Sequence, residues 1–219
     1  MTIDLYYFPL SVPCRSVMIL AKYLGIHLNL KQVNLFKGEQ MQASFKKINP
    51  QHTLPTIDDN GFILWESRPI MIYLVMKYAK NDSLYPRDPE KRAIVEHRLY
   101  FDIGTLFENI IDCYRPVLIG ISDTPSEKYT ALIEKAFELL DGYLKDSRFV
   151  AGNELTIADF AIGSSVSAAK AFTFDIGRYD NVVTWYEYCE RVMEKCGFKD
   201  TYKTIGDFYS AQNHKNSNT

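Results

Sequence analysis

Cysteine and histidine are scarce in this sequence, with four of each among 219 residues. No two cysteines are spaced as Cys-x-x-Cys, and the few histidines complete no zinc-ligand pattern with them. The sequence therefore gives no basis for a disulfide framework or a structural metal site. We expect all four cysteines to be reduced.

Long apolar runs and strong net charge are also lacking. No apolar stretch approaches the roughly 20 residues that span a bilayer. The first residues, Met-Thr-Ile-Asp-Leu, show neither the basic start nor the apolar stretch of a signal peptide. The formal net charge of -2 gives no electrostatic basis for binding nucleic acid or an anionic membrane. We expect a cytoplasmic protein with a small-molecule partner.

Residues 1–80 combine short apolar runs with helical periodicity. The run Leu5–Phe8 stops at Pro9, as expected of a buried strand, and Asn60-Gly61 is a strong signal for a hairpin turn. Apolar residues at spacings of three and four predict the connecting helices. The expected order is β-α-β-α-β-β-α, with the first two strands parallel and the elements near residues 5–8, 14–24, 28–34, 42–47, 56–58, 62–64 and 67–78.

The rest of the chain shows helical periodicity alone. We expect residues 81–87 to form a linker, residues 88–212 an all-helical bundle domain, and residues 213–219 a polar tail. Thr156 and Asp159 have the spacing of a capping box and mark the start of one helix. The helices are expected at 89–119, bent near Pro116, and at 126–145, 157–171, 180–195 and 198–210.

The motif best suited to take part in a reaction is Ser11-Val12-Pro13-Cys14, at the start of the first expected helix. The thioredoxin and glutaredoxin families place Cys-x-x-Cys at this junction, and here the leading cysteine is replaced by Ser11. The first domain is thus predicted to be thioredoxin-like, without the attacking thiol that a redox enzyme needs. Two interpretations remain open: Ser11 activates a thiol that arrives with a substrate, or it only caps the helix.

A hydroxyl at this position has enough electrostatic effect to ionise a bound thiol. A free thiol with a pKa of about 8.5 is only slightly ionised at neutral pH, and the thiolate is the nucleophile. A hydrogen bond to a charged acceptor contributes roughly 1.5 to 3 kcal/mol, and a helix N-terminus adds roughly 0.3 to 1. Together these lower a thiol pKa by about 1 to 3.

Two further motifs suit an amino-acid-like ligand. Pro55 directly precedes an expected core strand, which is compatible with a cis bond after Leu54 or with an ordinary trans turn. Glu66-Ser67-Arg68 opens the next helix, where backbone N–H groups favour a carboxylate and Glu66 is able to hold an ammonium group. Plain helix capping is the alternative.

These motifs together resemble the insect delta class of cytosolic glutathione transferases, with the epsilon class second. They are Ser-x-Pro-Cys-Arg at 11–15, the run from Asn49 to Pro55, Trp65-Glu66-Ser67-Arg68 and Arg98-Leu99-Tyr100-Phe101-Asp102. The resemblance implies an enzyme of xenobiotic detoxification that conjugates the glutathione thiolate to hydrophobic electrophiles. It also implies glutathione as co-substrate with no other cofactor, and a homodimer whose interface includes Tyr100.

By the same resemblance, Ser11 donates a hydrogen bond to the glutathione sulfur. The other glutathione-binding residues would be Gln40, His52, Thr53, Leu54, Pro55, Glu66, Ser67 and Arg68. Relatives often have histidine at the position of Gln40, so we expect weaker glutathione affinity here. The electrophile would lie between the domains, beside Arg115 and against an apolar wall whose members are mostly also candidates for the core: Leu10, Phe36, Phe107, Ile110, Leu118, Ile119 and Phe208.

Three alternatives stay open at this point. The same groove would suit a non-catalytic carrier of glutathione conjugates or hydrophobic ligands, or the fold would serve as an interaction module. Cys14 would act in disulfide exchange or would only pack in the core. Arg115, where relatives tend to have tyrosine, would favour polar or anionic acceptors or would point to solvent.

Overall fold

Four short strands form one mixed sheet in the order β2-β1-β3-β4. This computed structural model describes residues 2–216, and within that range it gives no side-chain description of 201, 202 and 212–216. The parallel β1–β2 pair and the antiparallel hairpin confirm the predicted topology. The strands are β1 (Ile3–Tyr7), β2 (Leu28–Gln32), β3 (Thr56–Asp59) and β4 (Phe62–Trp65).

Three helices complete the first domain in the predicted order, which confirms the thioredoxin-like fold. They are α1 (Val12–Tyr23), α2 (Ala43–Ile48) and α3 (Ser67–Tyr78). Two short 3-10 turns, Leu35–Lys37 and Glu39–Met41, occupy the connection before α2. Turns this short have no apolar period to read, so the sequence pattern did not predict them.

The described second domain is built from helices joined by loops, as predicted. Its helices are α4 (Pro89–Phe101), α5 (Phe107–Leu118), α6 (Glu127–Leu144), α7 (Ile157–Ala171), α8 (Asp180–Val192) and α9 (Phe198–Asn216). The last helix continues past the predicted end at 210, because no proline or glycine follows to stop it before Asn216. Residues 217–219 of the predicted tail lie outside the described residues.

The long helix predicted at 89–119 is interrupted in a different place from the one expected. A π-helical turn at Asp102–Leu106 separates α4 from α5, whereas Pro116 lies inside the last turn of α5. Pro116 cannot donate to the carbonyl of Asp112, yet α5 continues past it and ends two residues later at Leu118. The π-helical turn brings the buried Asp102 to the boundary between the domains.

Helix α7 forms the centre of the second domain. Every residue of it except Lys170 is buried. Gly163 lets α9 begin against it, because a Cβ at this position would lie 2.9 Å from the ring of Phe198. Helix α1 packs on α7, with the ring of Tyr23 edge-on to Phe160 at 5.3 Å. This packing holds the start of α1 at the boundary between the domains.

The capping box at the start of α7 is present as predicted. The carboxylate of the fully buried Asp159 accepts hydrogen bonds from the backbone N–H of Thr156 at 2.8 Å and of Val150 at 3.0 Å. The indole Nε1–H of Trp185 donates a third at 2.9 Å. Burial raises the pKa of Asp159 to about 6, so the group is still largely ionised at neutral pH and accepts these bonds as an anion.

We expect Asp159→Asn to destabilise the fold by about 2 kcal/mol. The amide replaces one acceptor oxygen with a donor, which then faces the N–H groups that the carboxylate satisfies. For a chain of this length, that loss lowers the melting temperature by about 4 to 8 °C. Calorimetry on the parent and the variant measures it, and an unchanged melting temperature would show that these contacts do not stabilise the helix start.

Candidate functional site

A cleft of about 610 Å³ lies between the two domains, next to the N-terminus of α1. Both domains contribute to its walls. The first domain supplies the polar groups and the second supplies mainly apolar side chains. A ligand with one polar part and one hydrophobic part therefore fits the division between the walls.

Most of the predicted site residues line this one cleft. On the side of the first domain these are Ser11, Thr53, Leu54, Pro55, Glu66, Ser67 and Arg68. Of the residues predicted to form the apolar wall, six line the cleft: Leu10, Phe36, Phe107, Leu118, Ile119 and Phe208. Arg115 lines it as well. Residues far apart in the chain are thus brought together by the packing of the two domains.

The prediction that Ile110 lines the cleft is wrong. Ile110 is fully buried in the core, and the neighbouring Ile111 lines the cleft instead. The helical phase explains the difference, because Ile103, Phe107 and Ile111 recur every four residues on one face. The same spacing would have identified Ile103 and Ile111, which the sequence reasoning missed.

Gln40 and His52 are not among the residues that line the cleft. Gln40 lies in the 3-10 turn Glu39–Met41, and its buried Oε1 accepts no hydrogen bond from a described residue. His52 has a positive φ of 46°, and its N–H donates to the carbonyl of Asn49 at 2.9 Å. Their roles toward a ligand remain predictions.

Ser11 caps α1 and also faces the cleft. Its Oγ accepts a hydrogen bond from the backbone N–H of Cys14 at 3.4 Å. Accepting this bond uses a lone pair and leaves the hydroxyl proton available for a second partner. Helix capping and donation to a ligand are therefore compatible in the same side chain.

Cys14 is buried and free. Burial raises the pKa of its thiol to about 11, so the thiol is protonated at neutral pH. A protonated and buried thiol is a poor nucleophile. The geometry favours the packing role of Cys14 over disulfide exchange.

The loop before β3 holds a cis peptide bond between Leu54 and Pro55. The buried Asn49 fixes this loop, since its Nδ2 donates to the carbonyl of Thr53 at 3.1 Å and to Oγ1 of Thr56 at 3.0 Å. The backbone N–H and C=O of Leu54 form no hydrogen bond with the described residues. These two groups remain able to pair with an extended peptide-like ligand.

The start of α3 combines backbone strain with a buried ion pair. Glu66 adopts φ 70° and ψ 116°, a conformation that costs a non-glycine residue about 1 to 3 kcal/mol and that clusters at functional sites. Arg68 donates to Oγ of Ser67 at 2.9 Å and forms an ion pair with Asp102. Ser165 donates to the other oxygen of Asp102 at 2.7 Å. The pair thereby links α3 to the π-helical turn of the second domain.

Three aromatic rings close one rim of the cleft. Phe36, from the first domain, stacks on Phe208 of α9 with ring centroids 5.6 Å apart. Phe8 meets Phe36 edge-on at 5.3 Å. Phe36 is 58% exposed, so its ring is accessible from solvent at this rim.

No group of three or more His, Cys, Asp or Glu residues in the described part of the chain is arranged to hold a metal ion. No described helix is long and apolar enough to cross a membrane.

Two family models match the chain. Residues 5–82 match the N-terminal domain of glutathione S-transferase, and residues 124–187 match the C-terminal domain of glutathione S-transferase. The two matches fall on the thioredoxin-like domain and on the helical domain.

Solved structures of insect proteins resemble the chain over nearly its whole length. A delta-class glutathione transferase of Nilaparvata lugens shares 44% identity, covers 96% of this chain and 99% of its own, and has a TM-score of 0.91. The Bombyx mori glutathione transferase BmGSTD1 shares 39% identity, with 96% and 97% covered and a TM-score of 0.92. An epsilon-class glutathione S-transferase of Musca domestica shares 33%, with 94% and 98% covered and a TM-score of 0.83.

Proposed function

Because the chain belongs to the glutathione S-transferase family and resembles its delta class, we propose that it conjugates reduced glutathione to hydrophobic electrophiles. In this proposal Ser11 stabilises the glutathione thiolate. The observation that carries the proposal is the position of the Ser11 hydroxyl, at the cleft and at the N-terminus of α1. A thiolate at this place receives a donated hydrogen bond and the favourable end of the helix dipole.

The rest of the glutathione molecule has suitable partners along the same wall. The free backbone groups of Leu54 suit the cysteinyl unit, as an added strand pairs with a sheet edge. The N-terminus of α3 at Ser67 favours the γ-glutamyl carboxylate, and the exposed carboxylate of Glu66 favours its ammonium group. Glutathione acts as co-substrate in this proposal, and no other cofactor takes part.

The reaction with an aryl halide shows the proposed step. The thiol proton leaves to solvent, and the thiolate sulfur attacks the aromatic carbon that bears the halogen. A C–S bond forms, the carbon–halogen bond breaks, and halide departs with the electron pair. The protein contributes an ionised nucleophile beside an apolar wall that holds the acceptor in place.

A conjugation assay with glutathione and an aryl chloride tests the proposal. We expect turnover well above the uncatalysed rate, and ultraviolet thiolate absorbance when glutathione binds at neutral pH. Binding of glutathione without ionisation or turnover would contradict the proposal and would instead support a carrier of glutathione conjugates.

Gln40 provides a test of the glycyl end of the glutathione site. We expect Gln40→His to lower the Michaelis constant for glutathione about twofold to fivefold, since an imidazole adds the option of a charged donor to the glycyl carboxylate. Steady-state kinetics with varied glutathione measures this change. The same kinetics with varied electrophile serves as control, because its Michaelis constant should not move. An unchanged constant for glutathione would remove Gln40 from the site.

We propose further that the protein is a homodimer and works in the cytoplasm. An apolar strip runs over α3 and α4, through two adjoining grooves that share Pro69 and Ile72. It includes Met76, which is 69% exposed, and Tyr100, which is 74% exposed. Exposed apolar strips of this kind mark interaction sites.

The four free cysteines fit the proposed cytoplasmic location, because the cytoplasm is a reducing compartment.

We expect Tyr100→Glu to weaken the proposed dimer at least tenfold, because it places a charge in the apolar strip. Sedimentation at micromolar concentration measures the oligomeric state. The matched control is Ile121→Glu, since Ile121 is 76% exposed but lies in the loop after α5. A parent protein that sediments as a monomer, or equal behaviour of the two variants, would contradict the proposed interface.

A further inference from the structure

Arg115 lies within the apolar wall of the cleft. Phe107, Ile111, Arg115 and Leu118 follow one another at spacings of four, four and three along α5, and all four line the cleft. This spacing places the guanidinium group on the stripe that faces the cleft, not on the opposite face of the helix. The amphipathic pattern of α5 thus contains a cation where an apolar residue would continue the wall.

The guanidinium group of Arg115 has no partner in the part of the chain whose side chains are described. It forms no hydrogen bond, ion pair or ring contact there, although Asp112 stands one turn earlier on the same helix. Other arginines of the chain do have partners. Arg178, for example, donates to Glu134 at 2.8 Å. Arg115 is therefore free to receive a ligand.

Two other charged side chains line the cleft, and only one of them is paired within the protein. Arg68, the second cation that lines the cleft, is neutralised by Asp102. Glu66, the carboxylate among the described lining residues, lies at the start of α3 on the polar wall. Among the described side chains, the guanidinium group of Arg115 on α5 is thus unpaired. A neutral hydrophobic acceptor would gain nothing from this charge.

We infer that this enzyme prefers electrophiles that join a hydrophobic body to an anionic group, with Arg115 binding that group. The inference rests on the proposed transferase function and narrows its acceptor class. A planar guanidinium pairs with a carboxylate through two parallel hydrogen bonds. Arg115 is exposed at the cleft, so an anionic group of the acceptor can reach it. The hydrophobic body of the acceptor contacts the neighbouring side chains of α5.

A matched pair of acceptors tests the inference: a chlorodinitrobenzoate and the corresponding chlorodinitrobenzamide. Both react by attack of the thiolate on the carbon that bears chlorine, with a C–S bond formed and chloride released. The ratio of their kcat/KM values is divided by the ratio of their uncatalysed rate constants with glutathione. This normalised preference isolates what the protein contributes.

We expect a normalised preference for the benzoate, and we expect Arg115→Gln to reduce it about fivefold to tenfold. Arg115→Lys should retain part of it, and added salt should weaken it in the parent enzyme. The charge-matched control is Arg191→Gln, since Arg191 lies over the ring of Tyr188 on α8 and does not line the cleft. That variant should keep the full preference.

An unchanged preference in Arg115→Gln would overturn the inference. If the same variant also had a higher KM for glutathione with both acceptors, that result would show that Arg115 binds a glutathione carboxylate instead. If the parent conjugates neither acceptor, the proposed function fails. Calorimetry with the two preformed conjugates then tests Arg115 by itself, and equal affinities for them would contradict its role.

Discussion

Replacing Ser11 with alanine is expected to lower kcat/KM for conjugation about tenfold to a hundredfold at neutral pH. The hydroxyl is the donor that the proposed mechanism assigns to the thiolate, and a hydrogen bond to a charged acceptor contributes roughly 1.5 to 3 kcal/mol. Without it the pKa of the bound thiol rises by about 1 to 2. The pH profile of kcat/KM should therefore move to higher pH, and activity should partly return above that new midpoint.

Two other variants separate the donor from the helix cap. Ser11→Gly keeps most of the capping effect, because glycine costs only a few tenths of a kcal/mol at this position. It should lose activity as Ser11→Ala does, with little change in melting temperature. Ser11→Thr keeps both the hydroxyl and the cap and should retain more activity. If Ser11→Gly matched the parent in rate and pH profile, the hydroxyl would have no part in the mechanism.

The second large effect is expected at the ion pair between Arg68 and Asp102. Asp102 is fully buried and Arg68 nearly so. Asp102→Asn removes the negative charge and leaves the guanidinium group buried without compensation, which costs about 3 to 5 kcal/mol. Urea unfolding of the parent and the variant measures the loss in the free energy of unfolding.

The double variant Arg68→Met with Asp102→Leu provides the control for this prediction. Removing both charges avoids an unpaired ion in the interior, so the double variant should be more stable than Asp102→Asn. If both proteins lost the same free energy, packing and not charge would explain the effect of Asp102→Asn. The double variant also changes Arg68, which lines the cleft, so only its stability is compared.

Local signals accounted for the elements that position Ser11. Asn60-Gly61 specified the hairpin, and the spacing of Ser11, Pro13 and Cys14 specified the turn into α1. Both signals act within a few residues, where turn geometry and capping determine the backbone. The cleft residues of the first domain followed from these local motifs and from the family resemblance.

Features that depend on tertiary packing could not be predicted from the sequence. Arg68 and Asp102 are 34 residues apart in the chain, so no local pattern links them. The choice between Ile110 and Ile111 required the exact phase of α5, which the π-helical turn at Asp102–Leu106 shifts relative to α4. A one-residue error of phase is enough to exchange a core position for a cleft position.

The packing of α1 against α7 has a consequence for synthesis on the ribosome. The first domain is complete at Tyr78, but α7, which covers one face of α1, ends only at Ala171, about 90 residues later. At about 5 to 20 residues per second, that interval lasts about 5 to 20 s. During it the face of α1 that packs on α7 in the finished protein has no helix to cover it.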